Sequence, residues 1–191
     1  HIAIKVNNSA AIYLHDDVNN MYSQEYVKDT NILKTEVMNT YFNVGVIEYS
    51  YVPIDENILI RSFKVKNNSK EDMNINMLVY SKLLTNINND SSGMIKDDAL
   101  VQYNHDFAIC TFAKEELLSY QINGIDDTFM SGKIGGKDYI GMSPASGISY
   151  DLNVLKPGEE KVFNLYILVN DNRKRNLLAE LDNEIIRLRK K

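Results

Sequence analysis

The stretch 58–84, ILIRSFKVKNNSKEDMNINMLVYSKLL, limits what this chain can fold into more than any other. Leu59, Phe63 and Val65 alternate with Ile60, Ser62 and Lys64, so successive side chains fall on opposite faces with period two. The polar run 67–72 then breaks the pattern with short side chains that bond their own backbone in turns. Alternation resumes with Ile75, Met77, Val79 and Leu83 on one face and Asn74, Asn76, Tyr80 and Lys82 on the other. The pattern predicts a long hairpin with one wet side and one buried side.

Strand-like segments recur along the chain. Residues 10–15 form one, followed by a polar loop at 16–20. Residues 32–37 and 42–52 read as a hairpin turned at Asn39-Thr40. In its second arm Phe42, Val44 and Val46 share a face, whereas Ile47, Tyr49 and Tyr51 continue out of phase; the slip predicts a bulge at 45–47. A polar loop is expected over 85–98. Residues 99–103 and 107–113 pair through Asn104-His105-Asp106, and 117–122 is a short strand. A Gly-rich stretch, 126–147, precedes strands at 148–155 and 161–169, which join through Lys156-Pro157-Gly158-Glu159, a tight-turn sequence. Hairpins without intervening helices mean a sandwich or a barrel. Only 174–191 changes period. Leu177, Leu181, Ile185 and Leu188, widened by Leu178 and Ile186, make one helical face, with Asp171 or Asn172 placed to cap its start.

Composition narrows the function. At 191 residues the chain fits one domain, and a domain of that size buries about 70% of its unfolded surface. A net charge of −5 argues against a nucleic-acid partner, which needs a basic face. The basic end, Arg187-Leu188-Arg189-Lys190-Lys191, reads as cations complementing a helix C-terminus. No apolar run is long enough to cross a membrane. Cys110, the single cysteine, cannot form an internal disulfide and sits in an apolar strand as a small buried hydrophobe. No signal peptide is visible, but the chain begins at His1 rather than Met, so compartment is left open, with the cytoplasm favoured.

No residue pattern announces catalysis. Residues 131–137, SGKIGGK, lack the strand and helix that a phosphate-binding loop needs, and read as a surface loop. His1, His15 and His105 are scattered, and no spacing suggests a metal or other cofactor. Glycosidic hydrolysis needs two flanking carboxylates. The sequential pairs Asp16-Asp17, Asp97-Asp98, Glu115-Glu116 and Asp126-Asp127 do not supply them, since neighbours on a strand face opposite ways. Tyr49, Tyr51, Tyr80 and Tyr103 suit a half-buried sheet surface better than a sugar-stacking platform. The Asn-x-Ser triplets at Asn7, Asn67 and Asn89 are expected by chance in so Asn-rich a chain.

Three passages resemble bacterial family 15 glycoside hydrolases, the glucoamylase-like enzymes. They are Asn57-Ile58-Leu59-Ile60-Arg61-Ser62-Phe63 with the Asn67-Asn68-Ser69 turn, Asp97-Asp98-Ala99-Leu100-Val101-Gln102-Tyr103, and Leu155-Lys156-Pro157-Gly158-Glu159. The resemblance implies an all-β fold, a large antiparallel two-sheet supersandwich of the galactose-mutarotase-like kind, over 1–170, with its opening strands missing. It implies that 171–191 is a linker helix leading to an (α/α)6 catalytic barrel absent from this chain. The family's catalytic glutamates lie in that barrel and have no positions here. Expected partners are therefore the chain's own barrel and an α-glucan. Leu177, Leu178, Leu181, Ile185, Ile186 and Leu188 are the expected interface, and Tyr103, Asp97 and Asp98 the expected glycan contacts. A self-standing carbohydrate-binding module is the alternative. An independent mutarotase-like enzyme is disfavoured, because it needs His and Glu converging on a concave sheet.

Overall fold

The computed structural model describes residues 1–83, 91–104, 107–136, 139–171 and 177–190, with the side chains of 170–180 outside the description. Two antiparallel sheets face each other. The smaller runs β11-β13-β7-β1-β2 and the larger β12-β8-β9-β10-β14-β6-β5-β4-β3. In chain order the strands are β1 (Ile2–Val6), β2 (Ile12–Tyr13), β3 (Asn20–Tyr26), β4 (Leu33–Asn39), β5 (Val44–Tyr51), β6 (Ile58–Asn67) and β7 (Met73–Lys82). There follow β8 (Ser92–Lys96), β9 (Ala99–Tyr103), β10 (Phe107–Ala113), β11 (Ser119–Gln121), β12 (Ile140–Gly141), β13 (Ala145–Leu155) and β14 (Glu160–Asp171). The helix α1 (Leu177–Arg189) closes the order. The expected supersandwich is what the chain forms, with 55% of residues in strands and 9% helical.

The expected hairpin at 58–84 is not a pair of neighbours. β6 and β7 lie in different sheets, and their connection carries the chain from one layer to the other. Asn67 makes this corner. It is fully buried, its amide donates to the carbonyls of Glu71 (2.7 Å) and Leu155 (2.8 Å), and its Oδ1 accepts from Ser69 N–H. Period two predicts a strand and its buried face, but not the partner that the strand will pair with.

The inter-sheet core takes Ile4, Val6, Ile75, Met77, Val79, Ile148 and Tyr150 from the small sheet. Val37, Val44, Val46, Phe63, Val65, Leu100, Phe163 and Leu165 come from the large one. Phe163 is central, 5.1 Å from Tyr150 and 6.3 Å from Phe63 by ring centroids. Each sheet also buries part of its outer face. Ala99, Val101, Ala108, Cys110, Phe112 and Tyr166 lie under α1, which contributes Leu181, Ile185 and Leu188. Two 3-10 turns, Ile125–Asp127 and Phe129–Ser131, cover Ala3, Leu78 and Ala145 on the small sheet. Gly147 permits that cover, since a Cβ there would lie 2.6 Å from Ile125 Cδ1.

Several local expectations are corrected. No bulge occurs at 45–47, because β5 pairs in unbroken register with both β4 and β6. The inward phase of Val44 and Val46 continues as Glu48 and Ser50, whereas Ile47, Tyr49 and Tyr51 face outward. A register shift does occur in β13, between Asp151 and Val154, with Asn153 at φ 64°. The later part of the 85–98 loop forms β8, and residues 20–26, to which the sequence pattern assigns no element beyond the loop's last residue, form the edge strand β3. Strand β1 also forms, where no strand is expected from the sequence. The beginning of that loop, His105-Asp106, Asn89, Asn172 and the side chains of Asp171, Leu177 and Leu178 lie outside the described residues.

Cys110 is 1% exposed, and burial pushes its thiol up to about 12. The folded state thus holds the proton that an unfolded thiol releases near 8.5. This contribution is whole below about pH 8.5 and is lost as pH climbs toward 12. Native protein is expected to be inert to a thiol reagent at pH 8 and to react with the urea unfolding midpoint. Tyr150 adds a second test: among the described residues its hydroxyl, sealed in the core, meets no hydrogen-bond partner. Tyr150→Phe should be neutral or stabilise by about 1 kcal/mol in urea titration, since an unmet buried donor costs about 1–3 kcal/mol.

Candidate functional site

The large sheet extends past the small one at its β3–β4 end, and the overhang leaves a cleft on its inner face. Ile2, Leu14 and His15 border it from the small-sheet side, with Tyr22, Gln24, Leu33, Thr35, Glu48, Ser50, Leu59 and Arg61 on the large sheet. Its volume is about 270 Å³. The positions follow from register. Gln24 pairs with Thr35, Thr35 with Glu48, and Ser50 with Arg61, so polar side chains step across four adjacent strands on one face.

Glu48 organises the cleft. Its side chain is 10% exposed, and Oε1 accepts from Arg61 Nε and from the Ser50 hydroxyl, both at 2.5 Å. Arg61 is held from below by the Phe63 ring, 5.4 Å from its guanidinium carbon, a cation–π contact. Gln24 donates to Thr35 Oγ1 at 2.9 Å. Among the described residues, the two η nitrogens of Arg61 and Oε2 of Glu48 meet no protein hydrogen-bond partner. A planar donor fork and a carboxylate oxygen therefore remain free in one cleft.

Two histidines expected to be scattered come together at the rim. The His1 and His15 rings stack at 4.7 Å, and His1 also meets Tyr13 (6.0 Å) and Tyr80 (5.6 Å). Burial, together with a hydrogen bond to Asp126, raises the Tyr80 phenol well above its ordinary range. Strand β1 lies between β2 and β7 in the small sheet, which is what joins residues distant in sequence.

The residues expected from sequence lie elsewhere. Asp97 and Asp98 are the two central residues of the β8–β9 hairpin, at φ 49° and 56°, as a two-residue turn of this hand requires. Tyr103 stands at the opposite end of β9, packed against the cluster beneath α1. Strand β9 separates them, so the structure does not bring the three together. Tyr49 and Tyr51 lie on the outer face of the large sheet and Tyr80 in the small one, so the tyrosines form no common platform. Glu48 went unnoticed in the sequence, as did the role of Arg61. The signal was present: Arg61 occupies the Leu59–Phe63 phase of β6, and Glu48 the Val44–Val46 phase of β5. A charged residue in the buried phase of each of two neighbouring strands marks a polar site in a sandwich core.

The fold resembles that of the galactose-mutarotase-like supersandwiches. A crystal structure of a bacterial glucoamylase complexed with acarbose matches 98% of this chain and 31% of its own, at 10% identity and TM-score 0.68. A candidate aldose 1-epimerase of Escherichia coli K12 matches 78% of this chain and 68% of its own, at 10% identity and TM-score 0.50. In sequence, an uncharacterized glycosyl hydrolase of Methanocaldococcus jannaschii is 26% identical over 158 residues. That match covers 76% of this chain and 25% of the relative, so the chain spans about a quarter of that protein's length. No protein-family model matches the chain.

The Glu48–Arg61 pair gives a test of the site's construction. Arg61→Met strands a buried carboxylate and should cost about 1–3 kcal/mol in urea unfolding, less than for a fully enclosed pair because Arg61 keeps some solvent. The double change Glu48→Met with Arg61→Met should regain most of that loss. Equal stability of Arg61→Met and the parent would show that the pair is not formed.

Proposed function

We propose that this chain is a non-catalytic accessory domain of a glucoamylase-like glycoside hydrolase acting on α-linked glucans or α-glucosides, and that it supports an (α/α)6 barrel. The observation that carries this reading is the near end-to-end match of the chain to about a third of a bacterial glucoamylase. The cleft is consistent with a supporting role. Its lining holds one carboxylate, Glu48, already engaged by Arg61 and Ser50, whereas glycoside hydrolysis uses two.

The helix α1 supplies the proposed docking face. Leu181, Ile185 and Leu188 are 3–5% exposed against the sandwich, so these members of the stripe hold the helix down. Ile186 is 51% exposed and borders a groove of about 500 Å³ with Asp97, Asp182, Arg189 and Lys190. Polar clamps fix the helix around this groove. Lys96 pairs with Asp182 at 2.8 Å, Arg187 with Glu56 at 2.9 Å, and Arg189 donates to the carbonyls of Ala113 and Asp98. In this reading the barrel packs over Ile186 and the groove, with Asp97 at the boundary, where glycan would approach. Tyr103 and Asp98 serve mainly in packing and in the turn.

The chain alone is expected to release no sugar from maltose, starch, dextran or trehalose. Turnover that disappears in Asp97→Asn or Asp98→Asn would overturn the non-catalytic assignment. A reading frame that continues into no helical barrel would overturn the accessory one. Within this chain, Ile186→Glu should change stability by less than about 0.5 kcal/mol, as exposed substitutions do. Ile185→Ala should cost about 2–4 kcal/mol, as buried truncations do. In a protein that includes the barrel, Ile186→Glu should lower the unfolding temperature.

A further inference from the structure

We infer that the overhang cleft binds a single neutral pyranose ring, with Glu48 and Arg61 as its polar contacts and Tyr22 in its lining. The inference deepens the sugar-related reading above but does not depend on the chain lacking catalysis. It starts from the free hydrogen-bonding capacity of the cleft. Oε1 of Glu48 is saturated by Arg61 Nε and Ser50, which leaves Oε2 as an acceptor and the Arg61 η nitrogens as donors, side by side on a rigid sheet. Adjacent hydroxyls of a sugar each donate and accept, so a vicinal pair can bond both groups at once, as neither a hydrocarbon nor a simple ion can.

Charge selects among polar ligands. A lone arginine would draw a phosphate or a carboxylate; the buried Glu48 carboxylate beside it offsets the guanidinium. The His1 ammonium lies close enough for Arg61 to repel it, so phosphate is the competitor that the test must include. Glu48 is likewise already neutralised by Arg61 and offers little to a cation. A neutral polyhydroxyl ligand meets neither obstacle. The remaining lining suits the rest of such a ring: Leu33, Leu59, Ile2 and Leu14 are apolar, Tyr22 presents a half-exposed aromatic side chain, and Gln24 and Thr35 offer further polar atoms. Carbohydrate C–H faces pack on such surfaces while the hydroxyls bond the polar groups. Size sets the limit. A volume near 270 Å³ falls below the range of roughly 300–1,000 Å³ typical of drug-sized ligands, which restricts the cleft to one ring. Tyr22 and Gln24 place the cleft's edge on the exposed strand β3, so a longer glycan could present its terminal unit there.

The experiment is a titration of the full chain with D-glucose and with methyl α-glucoside, followed by saturation-transfer NMR and by the shift of thermal unfolding. Expected is saturable binding with a Kd of roughly 1–10 mM, the scale for a ligand of this size held by few groups. Tyr22→Ala and Gln24→Leu lie on the exposed edge strand, so they should leave folding intact and weaken binding at least threefold. Arg61→Lys should weaken it at least tenfold, because an ammonium cannot reproduce the planar fork. Asp97→Asn, at the distant hairpin, should leave it unchanged. The proposal is overturned by absence of saturation up to about 100 mM sugar. It is also overturned by binding that all the cleft variants retain, or by inorganic phosphate binding more tightly than the sugars. None of those outcomes bears on whether a barrel follows the chain, so the two readings fail separately.

Discussion

A sheet that is apolar on both faces cannot stand at a protein surface, and this structure is organised around one. Over β9, β10 and β14 the large sheet points Leu100, Ala113, Phe163 and Leu165 inward and Ala99, Val101, Cys110, Phe112 and Tyr166 outward. Antiparallel sheets usually leave one face to water and alternate accordingly, so near-continuous apolar runs such as 107–113 signal cover on both sides. The small sheet covers the inner face and α1 the outer one. The helix is short for independent stability, and Leu181, Ile185 and Leu188 hold it because the sheet beneath is apolar. Layer order follows from this need for cover: 3-10 turns, small sheet, large sheet, helix.

The unequal size of the two sheets then determines where polar chemistry can sit. Five strands cannot cover nine, so cover runs out toward β3, where successive residues are exposed on both faces. Inward-facing positions change character along the same line. Toward the Asn39–Val44 end of β4 and β5 they are Val37, Val44 and Val46; toward the other end they are Thr35, Glu48 and Ser50. A charge pair buried among Phe63, Tyr150 and Phe163 would face a desolvation cost that its attraction rarely offsets. At the margin Arg61 keeps part of its surface in solvent, so the pair is affordable there and its spare donors remain usable. The cleft is therefore a consequence of sheet mismatch, not an addition to the fold.

Period-two alternation made the strands and the sandwich legible in the sequence, and the terminal helix was legible from its own period. Pairing was not. Leu59 to Val79 has the pattern of a hairpin, yet the buried amide of Asn67 turns the chain between layers, and no local pattern separates a turn within a sheet from a corner between sheets. The apparent slip in β5 shows the same limit. The apolar residues alone step from Val46 to Ile47 and so mimic a bulge. Following the alternation through regardless of polarity places Glu48 inward and predicts the site. The His1–His15 stack was illegible because it rests on the pairing of β1 with β2, and neither short strand carries a strong pattern of its own.

The helix and the cleft lie on different parts of the large sheet, one outside β9, β10 and β14 and the other inside β3 to β6. A domain that docks through its helix would keep the cleft free, because the sheet itself stands between the two. In the proposed arrangement a neighbouring domain would sit on the outer face and the polar cleft on the inner one. Rigidity makes the arrangement workable: β14 pairs with β6 from Glu160 to Leu168, so both surfaces are fixed to a single continuous ladder. A sugar held in the cleft would then sit at a constant offset from whatever packs on α1. A flexible linker could hold two domains at high local concentration but could not fix that offset.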